Sequence, residues 1–598
     1  MNLPRTAQAV RGILLAGALL LAGASAAPPR EPIHWAPWSE EVFAQARREH
    51  KFVLLDLEAV WCHWCHVMAE TTYRDPAVVA LMDDRYLAVR VDQDARPDLA
   101  ARYEDYGWPA TVIYAPDGTE IVKKQGYIEP AGMARLLQAV IDDPSPVAAQ
   151  NVSLEQAVAS ATTLGPERRA ALLAAWREGY DEREGGWGFS HKYLEADSIE
   201  LALRLAAQGD TRAERMARET LRLQRQLIDP VWGGVYQYSA GGRWDEPHFE
   251  KIMAVQADNL RAEAQAAAQW NDPAQLATAR SIQHYLRTFL LSPDGVVYTS
   301  QDADLVPGEH SADYFALDDA ARRRRGVPRI DRHIYARENG WIILALVQLA
   351  QVGGDAADRA AAERAAQWVI AHRSLAGGGF SHDAKDAAGP YLGDTLAMGR
   401  AFLALHALTQ DPVWLERAEQ AAAFIEAHFR RADAPGYAAS EVLKDAWPAP
   451  RPQFDENVNL VRFATALAEV TGRADIRAMA DNGLRWLLAP GVAESRGFSV
   501  AGLLLAEEEA RTPPEHIMIV GARTDGVAQA MYAAALRQPG RHRLVEWWDP
   551  GTGPAPRGED IFPKLGHPAA YLCANGACSA PLLNVAALEK KLAGLGRP

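Results

Sequence analysis

With 598 residues the chain has room for three to four domains at ~150 residues each, and 48% apolar residues with 17 tryptophans are ample for several buried cores. A formal charge of −15 argues against a nucleic-acid partner, which would need a concentrated basic patch. The basic run Arg322-Arg323-Arg324-Arg325 is short, leads into Gly326-Val327-Pro328 and reads as a solvated helix end.

At the N-terminus, Arg5 and Arg11 precede an apolar stretch from Ile13 to Leu21, and Ala24-Ser25-Ala26 offers the small-x-small site of a signal peptide over residues 1–26. No later uncharged stretch reaches the ~20 apolar residues that span a bilayer, and no cysteine stands directly after the cleavage point to take a lipid anchor. The expectation is a periplasmic or secreted protein with no membrane span after cleavage, in a compartment where cysteine pairs form disulfides.

Residues 31–143 read as one α/β domain. An amphipathic helix is expected over 39–50, and Phe52 to Leu57 is an apolar strand that leads straight into Trp61-Cys62-His63-Trp64-Cys65-His66. A helix from about Cys65 to Asp83 follows. Tyr86 to Asp92 and Thr111 to Tyr114 are buried strands, Asp117-Gly118 is a hairpin turn, Glu120 to Lys124 is a fourth strand, and Pro130 to Ile141 is a closing helix.

This order, with two cysteines two residues apart at the first strand-to-helix junction, resembles thioredoxin. Cys62 at a helix N-terminus is the expected attacking sulfur, because free backbone N–H groups and the helix dipole favour its thiolate. Cys65 is the resolving thiol. The thioredoxin pattern implies a buried acid six positions before the first cysteine, here Asp56, whose apolar neighbours raise its pKa and suit it to carry a proton. It also implies a cis-proline against the disulfide, here Pro109. His63 beside the thiolate makes the centre more oxidising than a Gly-Pro pair would. Trp61 and Trp64 are expected to offer an apolar surface to a partner.

The same letters admit other chemistry. Cys62-x-x-Cys65-His66 is formally a c-type haem attachment signature, and Cys62, His63, Cys65 and His66 are possible metal ligands. A static disulfide is a further alternative. The strand order favours a redox pair with no cofactor and no metal.

Cys62-His63-Trp64-Cys65-His66-Val67-Met68, followed by Ala95-Arg96-Pro97-Asp98, is similar to the thioredoxin-domain family of spermatogenesis-associated protein 20 and its bacterial relatives. That resemblance implies a thioredoxin domain joined to an (α/α)6 toroid like those of six-hairpin glycosidases and acylglucosamine epimerases. This chain departs from the family at His191-Lys192-Tyr193-Leu194, where a Pro-Lys-Phe-Pro run is usual.

Residues 144–165 read as a linker and 166–510 as the toroid, with helices expected over 166–179, 195–208, 211–228, 251–270, 272–290, 310–323, 335–352, 355–373, 393–409, 412–430, 455–471 and 473–489. Between them recurs a glycine, an aromatic and a serine: Gly186-Trp187, Gly234-Val235-Tyr236, Gly295-Val296-Val297-Tyr298, Gly378-Gly379-Phe380, Gly436-Tyr437 and Gly497-Phe498. Six such turns, each separated by about two helices, describe a closed ring of six hairpins with every turn at one end.

The loops carry His191, His248, Glu250, Asp302 and Asp304, groups suited to sugar hydrolysis or epimerisation. Trp187, Trp232, Trp244 and Trp341 are candidates to stack on a sugar ring. Residues 511–598 read as a small α/β segment ending in Cys573 and Cys578, either a staple or a relay to Cys62. Two functions follow. One is an exported thiol-disulfide oxidoreductase acting on protein thiols or disulfides, with the toroid binding a partner or glycan. The other is a carbohydrate-active toroid with an accessory thioredoxin domain.

Overall fold

The computed structural model describes residues 33–103, 107–147, 158–386, 388–442, 448–537, 540–555, 562–563, 565–574 and 577–594. The expected signal peptide and residues 148–157 of the expected linker lie outside the described residues. Among the described residues no helix is long and apolar enough to cross a membrane.

The first domain is a five-stranded sheet in the order β1-β3-β2-β4-β5, with β1 Trp35–Ala36, β2 Phe52–Glu58, β3 Tyr86–Asp92, β4 Ala110–Tyr114 and β5 Glu120–Gln125. β1, β2 and β3 run parallel, and β4 and β5 are antiparallel. Helices α1 Glu40–Glu49, α2 His63–Glu70, α3 Pro76–Arg85, α4 Pro97–Tyr103 and α5 Pro130–Asp142 surround the sheet. Strand alternation sends Phe52 and Leu54 to one core and Val53, Leu55 and Leu57 to another, so β2 is buried on both faces and reads as a continuous apolar run. The single helix expected over Cys65 to Asp83 is two. Asp75 caps the backbone N–H groups of Ala77 and Val78, and Pro76 starts α3 where its missing N–H costs nothing.

The ring has six inner helices, α7 Ala196–Ala207, α9 Met253–Trp270, α13 Ala336–Gly353, α15 Leu392–Thr409, α17 Phe454–Thr471 and α19 Ala501–Arg511. Its outer helices are α6 Pro166–Glu178, α8 Thr211–Gln224, α10 Pro273–Tyr285, α14 Ala356–Arg373, α16 Pro412–His428 and α18 Ala474–Leu487. Each inner helix touches the next in sequence and α19 touches α7, so the ring closes. The helix expected over 310–323 is not part of it. That stretch holds α11 Ala312–Phe315 and α12 Asp319–Arg325, inside the loop from the third turn to α13, and α19 supplies the twelfth helix instead.

The repeated turns lie at one end, as the pattern required. Five outer helices end in equivalent bridges, Tyr180 to Trp187, Ile228 to Val235, Leu291 to Val297, Ser374 to Phe380 and Arg430 to Tyr437. A Cβ on Gly234 (φ +74°) would stand 2.4 Å from the Tyr285 ring, so only glycine fits that turn. Side chains near the N-terminus of the next inner helix hold the turn backbone. Gln256 bonds both the N–H (2.8 Å) and the carbonyl (2.7 Å) of Val235, and Asn457 bonds those of Tyr437 at 2.9 and 2.8 Å.

The last segment is a four-stranded sheet of Arg543–Trp548, Glu515–Val520, Ala569–Ala574 and Ala577–Cys578, in that order, with α20 Gly526–Leu536 and α21 Val585–Ala593. Cys573 and Cys578 are paired residues of adjacent strands and form a disulfide. The segment docks on the far end of the ring, where the backbone N–H of Trp547 donates to Gln410 Oε1 just past the C-terminus of α15.

The basic run ends α12 with Arg323, Arg324 and Arg325 exposed, as a solvated helix end requires, and Arg322 is the exception. Its side chain is fully buried, with its guanidinium 2.7 Å from Asp229 Oδ2 and its Nη2 donating to the Phe315 carbonyl. Asp229 also takes Lys251 Nζ at 2.8 Å, so this pair of cations anchors the segment 250–252.

Candidate functional site

Cys62 is the N-cap of α2, in extended backbone, and its sulfur accepts the N–H of Cys65 at 3.1 Å. The two cysteines are joined in a disulfide. Asp56 on β2 is buried, and burial raises its pKa; the Arg90 guanidinium, at 3.0 Å, opposes that rise. The neighbouring Glu58 is lifted to about 7 by burial and by the charge of Asp56. The Trp108-Pro109 bond is cis, and Trp108 and Ile252 pack against the cluster of Ala59, Trp61, Cys62 and Cys65. Cys62, Cys65, Asp56, His63 and Pro109 therefore all fall in the domain that carries the disulfide.

Ring residues complete this site. The backbone N–H of His63 donates to Glu250 Oε1 at 3.3 Å, and His63 Nδ1 lies 2.7 Å from Asp304 Oδ1. His66 Nδ1 is 3.1 Å from Asp304 Oδ2 and 3.7 Å from Asp302 Oδ1. The N–H of Ala303 reaches the carbonyl of Trp61 at 3.4 Å, and Ile252 packs on the cluster formed by Ala59, Trp61, Cys62 and Cys65. A second latch runs from His382 Nε2 to the carbonyl of Asp94 at 2.6 Å, with Asp394 at 2.8 Å on the other ring nitrogen. With these contacts in place Cys62 is only 4% exposed and Cys65 3%.

The electrostatics follow from that enclosure. Burial would raise Asp304, but hydrogen bonds from both imidazoles hold it down at about 2. Burial would lower His66, and the Asp304 bond with the charges of Asp302, Asp304 and Glu58 raises it instead. Burial lifts Asp302 to about 6 and Glu250 to about 7, and Glu250 Oε2 has no hydrogen-bond partner. His248 is pushed down to about 4 by burial and by the neighbouring imidazoles of His63, His191 and His310.

Among the described residues, His66, Asp302 and Asp304 are the group with the composition of a metal site, their ligand atoms within 4.8 Å of one another. The same atoms are already engaged. Asp304 accepts from His63, His66 and the N–H of Gly308, so the group is complete as a hydrogen-bonded clamp between the domains.

Several sequence expectations change. Glu250, Asp302 and Asp304, read as toroid groups for a sugar, engage His63 and His66 of the cysteine motif. His248 stacks on Tyr238 at 4.2 Å, and His191 is exposed beside the same ring. Trp187, Trp232 and Trp244 are 2 to 3% exposed core residues, each with its indole N–H donated within the fold, so they cannot stack on a ligand. Trp61, expected to face a partner, is buried with its indole on Asp94 at 2.7 Å; Trp64, at 40% exposed, remains open.

Six turns at one end of a closed ring lead to the expectation of a central funnel at that end, and a chamber lies there, beside the cysteine domain. One part, about 370 Å³, is lined by Trp61, Asp94, Trp108, Ile252, Arg337 and Arg400 among others. A second part, about 400 Å³, holds Glu195, Asp197, Asp258 and Arg261 and shares Trp341, Arg400, Asp455 and Asn459 with the first. Burial lifts Glu195 to about 7 and Asp197 to about 6, and it lowers Arg400 to about 10 together with the charges of Arg261 and Arg462. The guanidinium of Arg400 makes no hydrogen bond and no ion pair among the described residues. These groups sit mid-helix or after unremarkable loops, and only a closed ring brings them to one axis.

The fold and the site define a thioredoxin-like domain seated on the turn end of an (α/α)6 toroid, with its cysteine pair facing inward. Residues 26–144 match the model of the family described as "Thioredox_DsbH: Protein of unknown function, DUF255". Spermatogenesis-associated protein 20 of Homo sapiens is 27% identical over 311 residues, covering 46% of this chain and 39% of that protein. The resemblance read from the cysteine motif is thus found, although the match spans only about two fifths of the length of these curated relatives. Thiol:disulfide interchange protein DsbD 1 of Pseudomonas aeruginosa is 34% identical over 124 residues, 19% of this chain and 21% of that one. The cellobiose 2-epimerase of Spirochaeta thermophila aligns with 57% of this chain and 96% of its own at 15% identity and a TM-score of 0.43.

Proposed function

We propose that the chain is an exported thiol-disulfide oxidoreductase in which Cys62 exchanges with thiols and Cys65 resolves. The observation that carries this is the sulfur of Cys62 at the N-cap of α2, bonded by a backbone N–H, where a thiolate is stabilised. Asp56, buried and raised, supplies a proton acceptor and donor in the same domain. The likeness to a thiol:disulfide interchange protein over the same domain supports the reading. The test is a redox titration of the full chain in dithiothreitol buffers, followed by alkylation and mass measurement. Two thiols from the Cys62 to Cys65 pair should appear in the native protein, and Cys65→Ser should form a stable mixed disulfide at Cys62. A pair that opens only after denaturation is a static staple, and the reading fails.

The ring supports a second activity on a polyhydroxylated ligand. The specific observation is the placement of Glu195 and Asp197, two carboxyls lifted toward neutrality, in a chamber with Trp341 and Asn459. These replace Glu250, Asp302 and Asp304 as the candidates for sugar chemistry. Loss of a glycan product on Asp197→Asn, with Cys62→Ser unaffected, establishes that role; no product from any tested glycan class removes it.

A further inference from the structure

We propose that the exchange partner of Cys62 is a low-molecular-weight thiol or disulfide bearing a carboxylate, taken up in the chamber between the thioredoxin-like domain and the ring. This rests on the thiol-disulfide reading above and narrows it from proteins to small molecules.

The first ground is access. A protein partner must reach the sulfur over the surface formed by Trp61, His63, Trp108 and the start of α2. In this chain the ring occupies that surface: the N–H of Ala303 donates to the carbonyl of Trp61, Glu250 accepts the N–H of His63, Asp304 holds its side chain and Ile252 packs on the cluster of Ala59, Trp61, Cys62 and Cys65. Asp229, with buried Lys251 and Arg322, anchors the segment that presents Glu250 and Ile252.

The second ground is where space remains. Trp108 and Ile252 pack on the cluster of Ala59, Trp61, Cys62 and Cys65, and Trp61, Trp108 and Ile252 also line the chamber, so the chamber abuts the cluster that holds the cysteines. The two connected parts, about 370 and 400 Å³, have the volume of a small-ligand site and exclude a folded protein.

The third ground is charge. The first turns of α9, α13, α15 and α17 contribute Ala254, Glu338, Gly393 and Asp455 to the lining, so four helix N-termini converge there, and their partial positive charges offset the carboxyls of Asp94, Glu338, Asp455 and Glu456 in the same wall. Arg400 stands among them with its guanidinium unpartnered, and the amides of Gln237 and Asn459 line the same wall. A carboxylate on the ligand completes Arg400, as a bidentate pair does elsewhere.

The reaction balances with the ligand alone. One RSH gives up its proton and its sulfur attacks Cys62 Sγ, forming a mixed disulfide as the Cys62 to Cys65 bond breaks; the Cys65 thiolate takes that proton. A second RSH loses its proton, and its sulfur attacks the ligand sulfur of the mixed disulfide. RSSR leaves, and the Cys62 thiolate is protonated. Two thiols are oxidised and one protein disulfide is reduced; an incoming disulfide runs the steps in reverse.

The test uses the full chain, reduced with dithiothreitol, desalted and mixed with glutathione disulfide, hydroxyethyl disulfide or insulin, with re-formation of the Cys62 to Cys65 bond followed by alkylation and mass. Glutathione disulfide should reoxidise the pair at least about tenfold faster than insulin. Arg400→Ala should lower the ratio of glutathione disulfide to hydroxyethyl disulfide rates about tenfold, the loss of one charge-assisted hydrogen bond. Arg400→Gln, closer in volume, serves if the alanine variant does not fold. Insulin reacting as fast as glutathione disulfide, or an unchanged ratio in the variant, overturns the small-molecule proposal while leaving thiol exchange intact. If neither hydroxyethyl disulfide nor dithiothreitol moves the native pair, thiol exchange itself falls.

Discussion

His63 Nδ1 lies 2.7 Å from Asp304 Oδ1, which ties the residue between the two cysteines to a loop of the ring 241 positions away in the chain. Asp304 takes His66 with its other oxygen, so one carboxylate holds the first turn of α2 to the ring. Redox chemistry at Cys62 and the position of the thioredoxin-like domain are therefore physically linked.

Asp304→Asn tests that link. The variant keeps the shape and removes the charge that both imidazoles share, with a cost of about 2 to 3 kcal/mol for a buried, charge-assisted pair of bonds. The expected result is a lower melting temperature and faster alkylation of Cys62 in the reduced protein. Unchanged alkylation with a lowered melting temperature would show that the clamp is not what shields the sulfur.

The same clamp has a pH window. Asp304 is depressed to about 2, so its contribution is present above the ordinary carboxylate pKa of about 4 and is lost as pH falls toward 2. His66 is raised, so its contribution is complete below about 6.5 and is lost as pH rises through its folded value. Glu250 is raised to about 7, so it favours the folded form while protonated, and that contribution declines as pH climbs from about 4 through 7. Stability measured against pH should therefore be greatest near about 4 to 5 and fall on both sides, the alkaline decline starting with Glu250 and continuing as His66 loses its proton; Glu250→Gln should flatten the early part of that decline. A profile that rises steadily to pH 8 contradicts this assignment.

The thioredoxin-like domain was legible because its signals are local: a two-residue cysteine spacing, a strand buried on both faces, and Asp117-Gly118 at a hairpin. The ring was legible through repetition, since Trp187, Phe380 and Tyr437 each need a glycine before them and a core behind them. The break at Asp75-Pro76 was also written in the sequence, and the apolar run through Val78, Val79 and Met82 masked it. What could not be read was contact between domains. Nothing local to Glu250 or Asp304 marks them as partners of His63 rather than of a sugar, and Arg400 looks like any helical arginine until six inner helices converge around it. Buried Arg322 shows the same limit, because its partner Asp229 is 93 positions away.

Cys573 and Cys578 give a clean separation of roles. They sit in the segment that docks past the C-terminus of α15, while Gly393 at the other end of that helix lines the chamber beside Trp61. The 18 residues of α15 set these ends about 27 Å apart, which rules out direct exchange between the two pairs within one folded chain. Replacing both distal cysteines by alanine should cost about 2 kcal/mol, the closure of a short loop, and leave the redox equilibrium of the Cys62 to Cys65 pair unchanged. Redox titration of the double variant by mass checks this, and a shifted midpoint would restore a relay.

Asp56 is where proton transfer can be separated from structure. It is 2% exposed, its pKa is raised by burial, and Arg90 at 3.0 Å keeps it from rising further. Asp56→Asn should retain the fold, since the amide can still accept from Arg90, and slow disulfide reduction at neutral pH by about 100-fold, the usual worth of a positioned acid or base. The pH dependence of that reduction should flatten in the variant. An equal loss of rate at every pH would mark Asp56 as a positioning residue.

Ile252→Ala probes the wall between sulfur and chamber. Ile252 packs on the cluster of Ala59, Trp61, Cys62 and Cys65 and also lines the chamber, with Lys251 beside it anchored on Asp229. Truncation removes three carbons from a partly buried site, a cost of about 1 to 2 kcal/mol that leaves the clamp at Asp304 intact. If the chamber is the route to the disulfide, a bulky phosphine should reduce the variant faster than the wild type, while small dithiothreitol gains less. Equal gains for both reductants would mean that the domain swings open to admit them, and acceleration confined to dithiothreitol would place the path elsewhere.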